Sequence, residues 1–571
     1  MLFENLDKCL KKNPNLSYDE ACIDIRNTFS QNVSIYYQYD ECHKCNYQLL
    51  TVLEPLANTS VLAKTISPIQ MFYRLEDNDK CHFQKLLYEH YRYGWNITEQ
   101  CSPLYVKQPA DDAYLPILMA FVVLFCFGTL WYMVKCIYKN SGRLRQLLVW
   151  NTEMEMDLGS SSVSTPLVIE RVPSHKKHPH RIKSIDIFRG LCIILMIFVN
   201  YGGGQYWFFK HSVWNGITIA DLVFPWFLWV MGFSLSISLQ NKLRRAVPRR
   251  HLVCQVLRRS LILVLLGLVL NSNKNMSTIA DLRFPGVLQR IGICYLFVGL
   301  LEVVFTKRTE IEVIYFANIS PVYDIISAWP QWFIVSILVF IHTCVTFLAD
   351  VPRCGRGYLG PGGLDEGGKY QNCTGGVAGY IDREVFGDHM YRHPACERVY
   401  ENAVYFDPEG ILGTLTSILT VYFGVQAGRT LNTYQSIRAK IIRWAIWGVT
   451  TGLVGGALSG FSRDDGPVPL NKQLWSLSFA LVTSGMAFII QGGLFLIVDI
   501  LRKWGGRPFF YPGMNAIILY VGHELMRDTF PFGWKPTSRT HGTFLFMNLW
   551  GTFLWVAISI FLYKRNIFMT I

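Results

Sequence analysis

Ionisable side chains inside long apolar stretches are the residues to weigh first, and here they are Asp186, Arg189, Asp221, Arg258, Arg259, Arg290, Glu302, Asp499, His523 and Glu524. A charge in hydrocarbon is costly, so each marks a polar cavity or a ligand path by default. Glu302 and Asp499 lie near span ends and are expected to snorkel to water. Arg258 and Arg259 begin a span, where they either anchor the helix or meet an anionic ligand. The densest group is Asn200-Tyr-Gly-Gly-Gly-Gln-Tyr-Trp-Phe-Phe-Lys-His211, followed by Trp214, Asn215 and Asp221. Three glycines at a span exit permit positive φ and close approach of backbone to a ligand. The aromatics suit a membrane interface, and a lone histidine there is more often a structural group. The place of His211 between the glycines and an intramembrane Asp221 makes it the candidate for proton transfer, since imidazole takes a proton near neutral pH. His523 and Glu524 are a second candidate, although neighbours on a helix point about 100° apart and do not easily share one ligand. No HExxH, Gly-x-Ser-x-Gly or P-loop occurs, so neither metal nor serine-hydrolase chemistry is expected.

The elements that must position these residues follow from composition. Hydrophobic residues make up 51% of the 571-residue chain and charged residues only 17%, below the roughly 25% of soluble proteins. The apolar residues come in blocks of the length a bilayer requires. Eleven spans are expected, at 114–136, 184–203, 215–239, 252–271, 284–305, 329–349, 410–428, 441–460, 473–500, 509–526 and 543–563. The fold class is thus a membrane all-α bundle of about eleven transmembrane helices with a small N-terminal lumenal β-rich domain. Its parts are the β domain (1–112), the first span (113–137), a flexible cytosolic linker (138–183) and a ten-helix membrane domain (184–571).

Residues 1–112 carry six cysteines (Cys9, Cys22, Cys42, Cys45, Cys81, Cys101) and sequons at Asn15, Asn32, Asn58 and Asn96. That combination points to an oxidising, lumenal or extracellular compartment. Cys42 and Cys45 are a redox or zinc pair or, as is commoner for one CxxC among six cysteines, a structural one. Alternation at 33–39 and 47–53 suggests strands. The start, Met1-Leu-Phe-Glu-Asn-Leu-Asp, lacks the basic end and apolar core of a signal peptide. Either a leader precedes it or the first span draws the domain across. The long loop 350–409 adds Cys354, Cys373, Cys396 and the sequon at Asn372; Cys354–Cys373 is the preferred disulfide, because Cys396 lies in a separate, more polar stretch. With residues 1–112 lumenal, the loops assigned to the cytosol hold 27 Lys and Arg against 14 in the opposite inter-span loops, the asymmetry that sets orientation. That places Asn275 and Asn372 in the lumen, Asn318 in the cytosol and the C-terminus in the cytosol. The linker holds Ser160–Ser164 and a basic run from His175 to Arg181, read as solvated and flexible. Although the net charge is +13, the cations form no stripe, so nucleic acid is not an expected partner.

The chain resembles the heparan-alpha-glucosaminide N-acetyltransferase family of lysosomal membrane enzymes. The resemblance rests on Ser184-Ile-Asp-Ile-Phe-Arg-Gly190, Phe198-Val-Asn-Tyr-Gly-Gly-Gly204, Phe209-Lys-His-Ser-Val-Trp-Asn-Gly216 and Ala220-Asp-Leu-Val-Phe-Pro-Trp226. It continues through Arg283-Phe-Pro-Gly-Val-Leu-Gln-Arg290, Gly357–Gly363, Asp407–Thr414, Phe509–Asn515 and Tyr520-Val-Gly-His-Glu524. It covers 184–571, and 1–112 only loosely, through the CxxC. The resemblance implies a multi-pass lysosomal membrane protein, a homodimer, acetyl-CoA as donor and the terminal glucosamine of heparan sulfate as acceptor. It maps an active-site histidine onto His211 and a substrate-site asparagine onto Asn200. Acetyl-CoA is cytosolic and the glycan lumenal, with roughly 30 Å of hydrocarbon between them. Buried phosphates need paired cations, which makes Arg258 and Arg259 candidates, with Arg283 and Arg290 as weaker ones nearer the lumen. His211 then serves as general base, or is itself acetylated; direct transfer is the preferred reading. Burial lowers its pKa and Asp221 raises it, and the sequence leaves that contest open. A transporter and a glycan-binding receptor are the rival classes; no inverted halves with matching broken spans support the first, and the intramembrane charges oppose passive spans.

Overall fold

The computed structural model describes residues 9, 16–76, 78–140, 181–272, 281–306, 322–393, 396–402 and 404–569. Met1–Asp7, Asn15, Asn275, Asn318 and the linker features at 160–164 and 175–180 lie outside the described residues.

Eight strands build the N-terminal domain: β1 (Glu20–Asn27), β2 (Val33–Tyr39), β3 (Gln48–Leu53), β4 (Asn58–Lys64), β5 (Ile69–Leu75), β6 (Asn78–Lys85), β7 (Arg92–Ile97) and β8 (Tyr105–Gln108). They pair as two four-stranded sheets, β4-β1-β7-β8 and β3-β2-β5-β6, with β1 and β7 parallel and the other neighbours antiparallel. Strand side chains alternate faces, so Tyr93, Trp95 and Ile97 of β7 turn inward onto Ile23, Ile25, Val33 and Ile35. Disulfides join Cys9–Cys22, Cys42–Cys45 and Cys81–Cys101. The CxxC pair is therefore bonded to itself.

The helices outside loop 350–409 that are ten residues or longer are α1 (Leu115–Asn140), α2 (Lys183–Asn200), α3 (Ile219–Arg244), α4 (Arg249–Ser272), α5 (Val287–Phe305), α6 (Trp329–Leu348), α7 (Ile411–Thr433), α8 (Ile437–Leu458), α9 (Leu477–Ile500), α10 (Ala516–Leu525) and α11 (His541–Lys564). Helix α1 belongs to a unit of its own, Asp111–Arg181, and is apolar around its circumference, as a lipid-facing helix is. Among the described residues nine helices are long and apolar enough to cross a bilayer. Against the eleven expected, α2 and α10 fall short for different reasons. Three charges, Lys183, Asp186 and Arg189, lie in α2. The expected span 509–526 is broken at Asn515, with φ −124° and ψ 34°, between a short turn Phe510–Met514 and α10. Asn515 meets its polar needs at the break by bonding Ile567 O and Met569 N at 3.1 and 3.3 Å.

Helices α3 and α7 form the centre of the bundle. They approach so closely that a Cβ on Gly232 would sit 2.0 Å from Val421 O, and one on Gly424 1.9 Å from Trp229 O. Backbone contact of this kind needs small residues, as membrane helix interfaces generally do.

Several intramembrane charges prove to be internal struts. Glu302 does not snorkel: it is 0% exposed and accepts from Arg429 Nη2 at 2.6 Å. Arg429 also bonds Tyr422 and Gln426, so the pair is fully engaged in the interior. Asp499 is half-buried and accepts the backbone N–H groups of Lys183 and Ser184 at 3.0 and 3.1 Å, thereby capping α2. Arg189 ties α2 to Ser234 of α3 and to Gly513 O.

The β domain has its own core, yet its rim is bonded to the bundle. His541, at the start of α11, places Nε2 2.9 Å from Glu89 and 3.4 Å from Asp19. Lys210 pairs with Asp19 at 3.0 Å, and the His43 N–H donates to Tyr400 Oη at 3.2 Å.

Candidate active site

After α2 the chain turns back through Gly202, Gly203 and Gly204, with φ of 117°, 56° and 67°. These are left-handed values that favour glycine, and a Cβ on Gly203 would strike Phe209 Cβ at 2.4 Å. The turn is pinned to α11: the Gly204 N–H donates to Asn548 at 2.9 Å, and His541 Nδ1 donates to Gly204 O at 2.8 Å. This fixes where the following loop, with His211, must lie.

Asp221, wholly buried in the first turn of α3, organises that loop. Its Oδ2 accepts from the backbone of Thr218 and Ser212, both at 3.1 Å, and from Thr218 Oγ1 at 3.0 Å, closing a capping box. Its Oδ1 accepts from His211 Nδ1 at 2.8 Å. With a carboxylate as partner, Nδ1 carries the hydrogen and Nε2 keeps its lone pair. The sequence reading of His211 beside Asp221 thus acquires a geometry: an oriented imidazole with one basic nitrogen.

Lys472, which the sequence reading passed over, completes the cluster. Its Nζ stands 3.0 Å from Nδ1 and 3.1 Å from Nε2 of His211, and 3.8 Å from Asp221 Oδ1. It sits immediately before α9, where a lysine reads as an ordinary flanking charge. The loop that carries it is locked to the His211 loop. Asn215 donates to Asp464 at 3.0 Å and accepts from Asn471 at 3.1 Å, and the Gly216 N–H donates to Leu470 O at 2.8 Å. The His211 ring keeps 45% of its side-chain surface open, on one edge of a recess otherwise crowded by protein. That crowding, and next the Lys472 ammonium, lower its pKa from the ordinary value, against the opposing pull of Asp221. Against Asp221 the surrounding protein and Lys472 thus act in the same direction.

Asn200 belongs to a second cluster. Its Nδ2 donates to His523 Nε2 at 2.9 Å and to Glu524 Oε1 at 3.2 Å. His523 is 0% exposed and donates through Nδ1 to Leu519 O at 3.0 Å. His523 and Glu524 do share one partner, contrary to expectation, because a single amide group offers two hydrogens. No hydrogen bond joins this cluster to His211 among the described residues.

The four arginines separate by surroundings. Arg258 is exposed. Arg259 lies over the Tyr295 ring at 4.6 Å and holds a buried Nε without a partner among the described residues. Arg283 is engaged by Asp407 at 2.5 and 2.8 Å and by Glu409 at 2.5 Å, so it buttresses loop 350–409 rather than awaiting a phosphate. Arg290, 2% exposed, donates to Gly410 O at 3.0 Å and packs on Trp475, leaving Nε and Nη1 without partners among the described residues. In the same loop Cys354 and Cys373 are bonded to each other and Cys396 is free. Of the described sequons, Asn32, Asn58 and Asn372 are exposed and Asn96 is half-buried.

An Asp-oriented histidine whose proton affinity is held down is equipped for base catalysis. Residues 181–346 match the family model described as heparan-alpha-glucosaminide N-acetyltransferase, catalytic, a stretch that includes His211 and Asp221. The human heparan-alpha-glucosaminide N-acetyltransferase is 38% identical over 99% of this chain and 90% of its own length. The mouse protein of the same name is 37% identical over 98% and 90%. The chain belongs to the heparan-alpha-glucosaminide N-acetyltransferase family and is a membrane acyltransferase.

Proposed function

We propose that this enzyme is a multi-pass protein of the lysosomal membrane that transfers acetyl from cytosolic acetyl-CoA to the terminal glucosamine of heparan sulfate. The observation that carries the reading is the Asp221–His211 pair, which makes Nε2 the basic nitrogen of the ring. A glucosamine nitrogen reaches an acidic lumen as an ammonium and gives one proton to solvent before it attacks the thioester carbonyl. After attack the nitrogen carries two protons; one stays in the amide N–H and the other passes to His211 Nε2. His211 then delivers it to the departing thiolate as the C–S bond breaks and the amide forms. Asp221 keeps the ring in the productive tautomer throughout. Direct transfer of this kind needs no acetyl-imidazole beside an aqueous lumen. Asn200, held by His523 and Glu524, is assigned to the acceptor sugar.

On the opposite face of the membrane, the partnerless Nε of Arg259 suits a coenzyme phosphate. Arg290 and the exposed Arg258 are kept as further candidates for the donor; Arg283 is already paired. The β domain and loop 350–409 face the lumen, the C-terminus faces the cytosol, and the protein is a homodimer.

The test is turnover of acetyl-CoA with a glucosamine acceptor by full-length protein in detergent, a product that neither a transporter nor a receptor yields. His211→Ala should lose roughly 10²–10⁴-fold in kcat/KM, the usual contribution of a general base, while its elution profile and melting temperature stay those of the parent. A well-folded variant within tenfold of the parent removes His211 from the mechanism.

A further inference from the structure

A base that must work in acid faces a difficulty, because an imidazole of ordinary pKa near 6.5 is mostly protonated there. Orientation by a carboxylate makes this worse, since Asp221 stabilises the imidazolium. The arrangement at His211 contains a counterweight. Lys472 Nζ lies almost equally far from the two ring nitrogens, at 3.0 and 3.1 Å. It therefore sets a positive charge against the whole ring, beyond any single directed hydrogen bond to one nitrogen. Its side chain is only 14% exposed, so water screens that charge poorly. The position is fixed by the Asn471–Asn215 and Leu470–Gly216 bonds that lock the two loops together, and by the Trp475 N–H, which donates to Lys472 O at 3.1 Å.

We infer that Lys472 is the positioning residue that adapts this site to an acidic compartment: its ammonium keeps His211 in the neutral, basic form at a pH where a carboxylate-paired histidine would otherwise be protonated. The inference rests on the reading of His211 as general base. The charged groups around the ring are Asp221 from α3, Lys472 from the loop before α9 and Glu409 from the turn before α7; Arg290 of α5 acts on Lys472. Glu409 is already paired with Arg283, which leaves Asp221 and Lys472 as the opposed pair. The lowered pKa of His211 agrees with this placement. Burial also lowers the pKa of Lys472, and an acidic lumen opposes the loss of its proton. The same repulsion makes the imidazolium formed during turnover a stronger acid, which speeds proton delivery to the thiolate.

The sign is definite. Removing the ammonium takes away the charge that opposes Asp221, so the pKa of His211 rises and the acid limb of kcat/KM moves toward neutrality. Lys472→Met should lose at least about tenfold at pH near 5 and return to within a few-fold of the parent at pH near 8, above the ordinary histidine range. Lys472→Arg, which keeps the charge, should hold the acid limb near its original place, and serves if the methionine variant folds poorly. Carbethoxylation of His211, followed by peptide mass spectrometry across pH, reads the same titration without any turnover. In the parent His211 should stay reactive in acid, and in Lys472→Met it should become protected. An unchanged acid limb with an equal loss at every pH overturns the inference in favour of a structural role. A rise in KM alone at every pH overturns it in favour of a substrate contact. If His211→Ala is active, the base reading itself has failed; if that variant is dead while Lys472→Met keeps its acid limb, only the inference has.

Discussion

Asn200 takes its orientation from two acceptors, and one of them, His523, is fully buried and fixed by Leu519 O. His523→Ala should therefore act through Asn200. A fall of about 1–2 kcal/mol in transition-state stabilisation, the range of a single hydrogen bond, is expected in kcat/KM with the acceptor sugar, and His523→Gln, which restores an acceptor, should recover part of it. A loss that glutamine does not relieve would assign the imidazole a role of its own. At this scale the sequence was partly legible. His211 and Asp221 stood out because a glycine run and an intramembrane carboxylate flank a lone histidine. Lys472 did not, because a cation before a span is what orientation alone would place there. Asn200 and His523, 323 positions apart, are joined only by folding, and no spacing rule links them. Arg283 was visible as a cation, but its carboxylate partners, Asp407 and Glu409, lie in a loop whose path the sequence does not give.

Between helices, the buried pair of Glu302 on α5 and Arg429 on α7 is the clearest energetic statement the bundle makes. Breaking such a pair from one side strands a charge and costs about 3–5 kcal/mol, whereas replacing both partners by apolar residues is often neutral. Arg429→Met alone should lower the melting temperature and yield of the detergent-solubilised protein markedly, and adding Glu302→Met should restore most of the loss. A double variant no better than the single one would mean that Tyr422 and Gln426 depend on Arg429 more than Glu302 does. Hydropathy and length were enough to locate the spans, since burial in a bilayer leaves a long apolar signature. They could not reveal that the segment 509–526 breaks at Asn515, because the acceptor that stabilises the break, Ile567 O, comes from the C-terminal end of the chain. Nor did they separate charges that reach water from charges that pair inside, which depends on the facing helix.

For the molecule as a whole, orientation is the property to test. Single-sequon variants should each lose one glycan-sized shift on glycosidase treatment at Asn32, Asn58 and Asn372, the exposed acceptors, and Asn318 should carry none. A glycan on Asn318 would invert the proposed orientation. The β domain and bundle share a further dependence. Glu89 and Asp19 belong to the first part of the chain to be made, yet the imidazole they bond, His541, opens the last helix and also grips Gly204. From Glu89 to His541 the ribosome must add 452 residues, which at about 5–20 residues per second takes on the order of 20–90 s. During that interval the sheets can close their own core and disulfides, but two carboxylates at their rim lack the histidine that will cover them, and the glycine turn ahead of His211 lacks its anchor. Synthesis of the final helix thus completes the seating of the first domain, begun through Lys210 and Tyr400, and anchors the catalytic loop, so a nascent chain stopped short of it would hold every catalytic residue without these contacts.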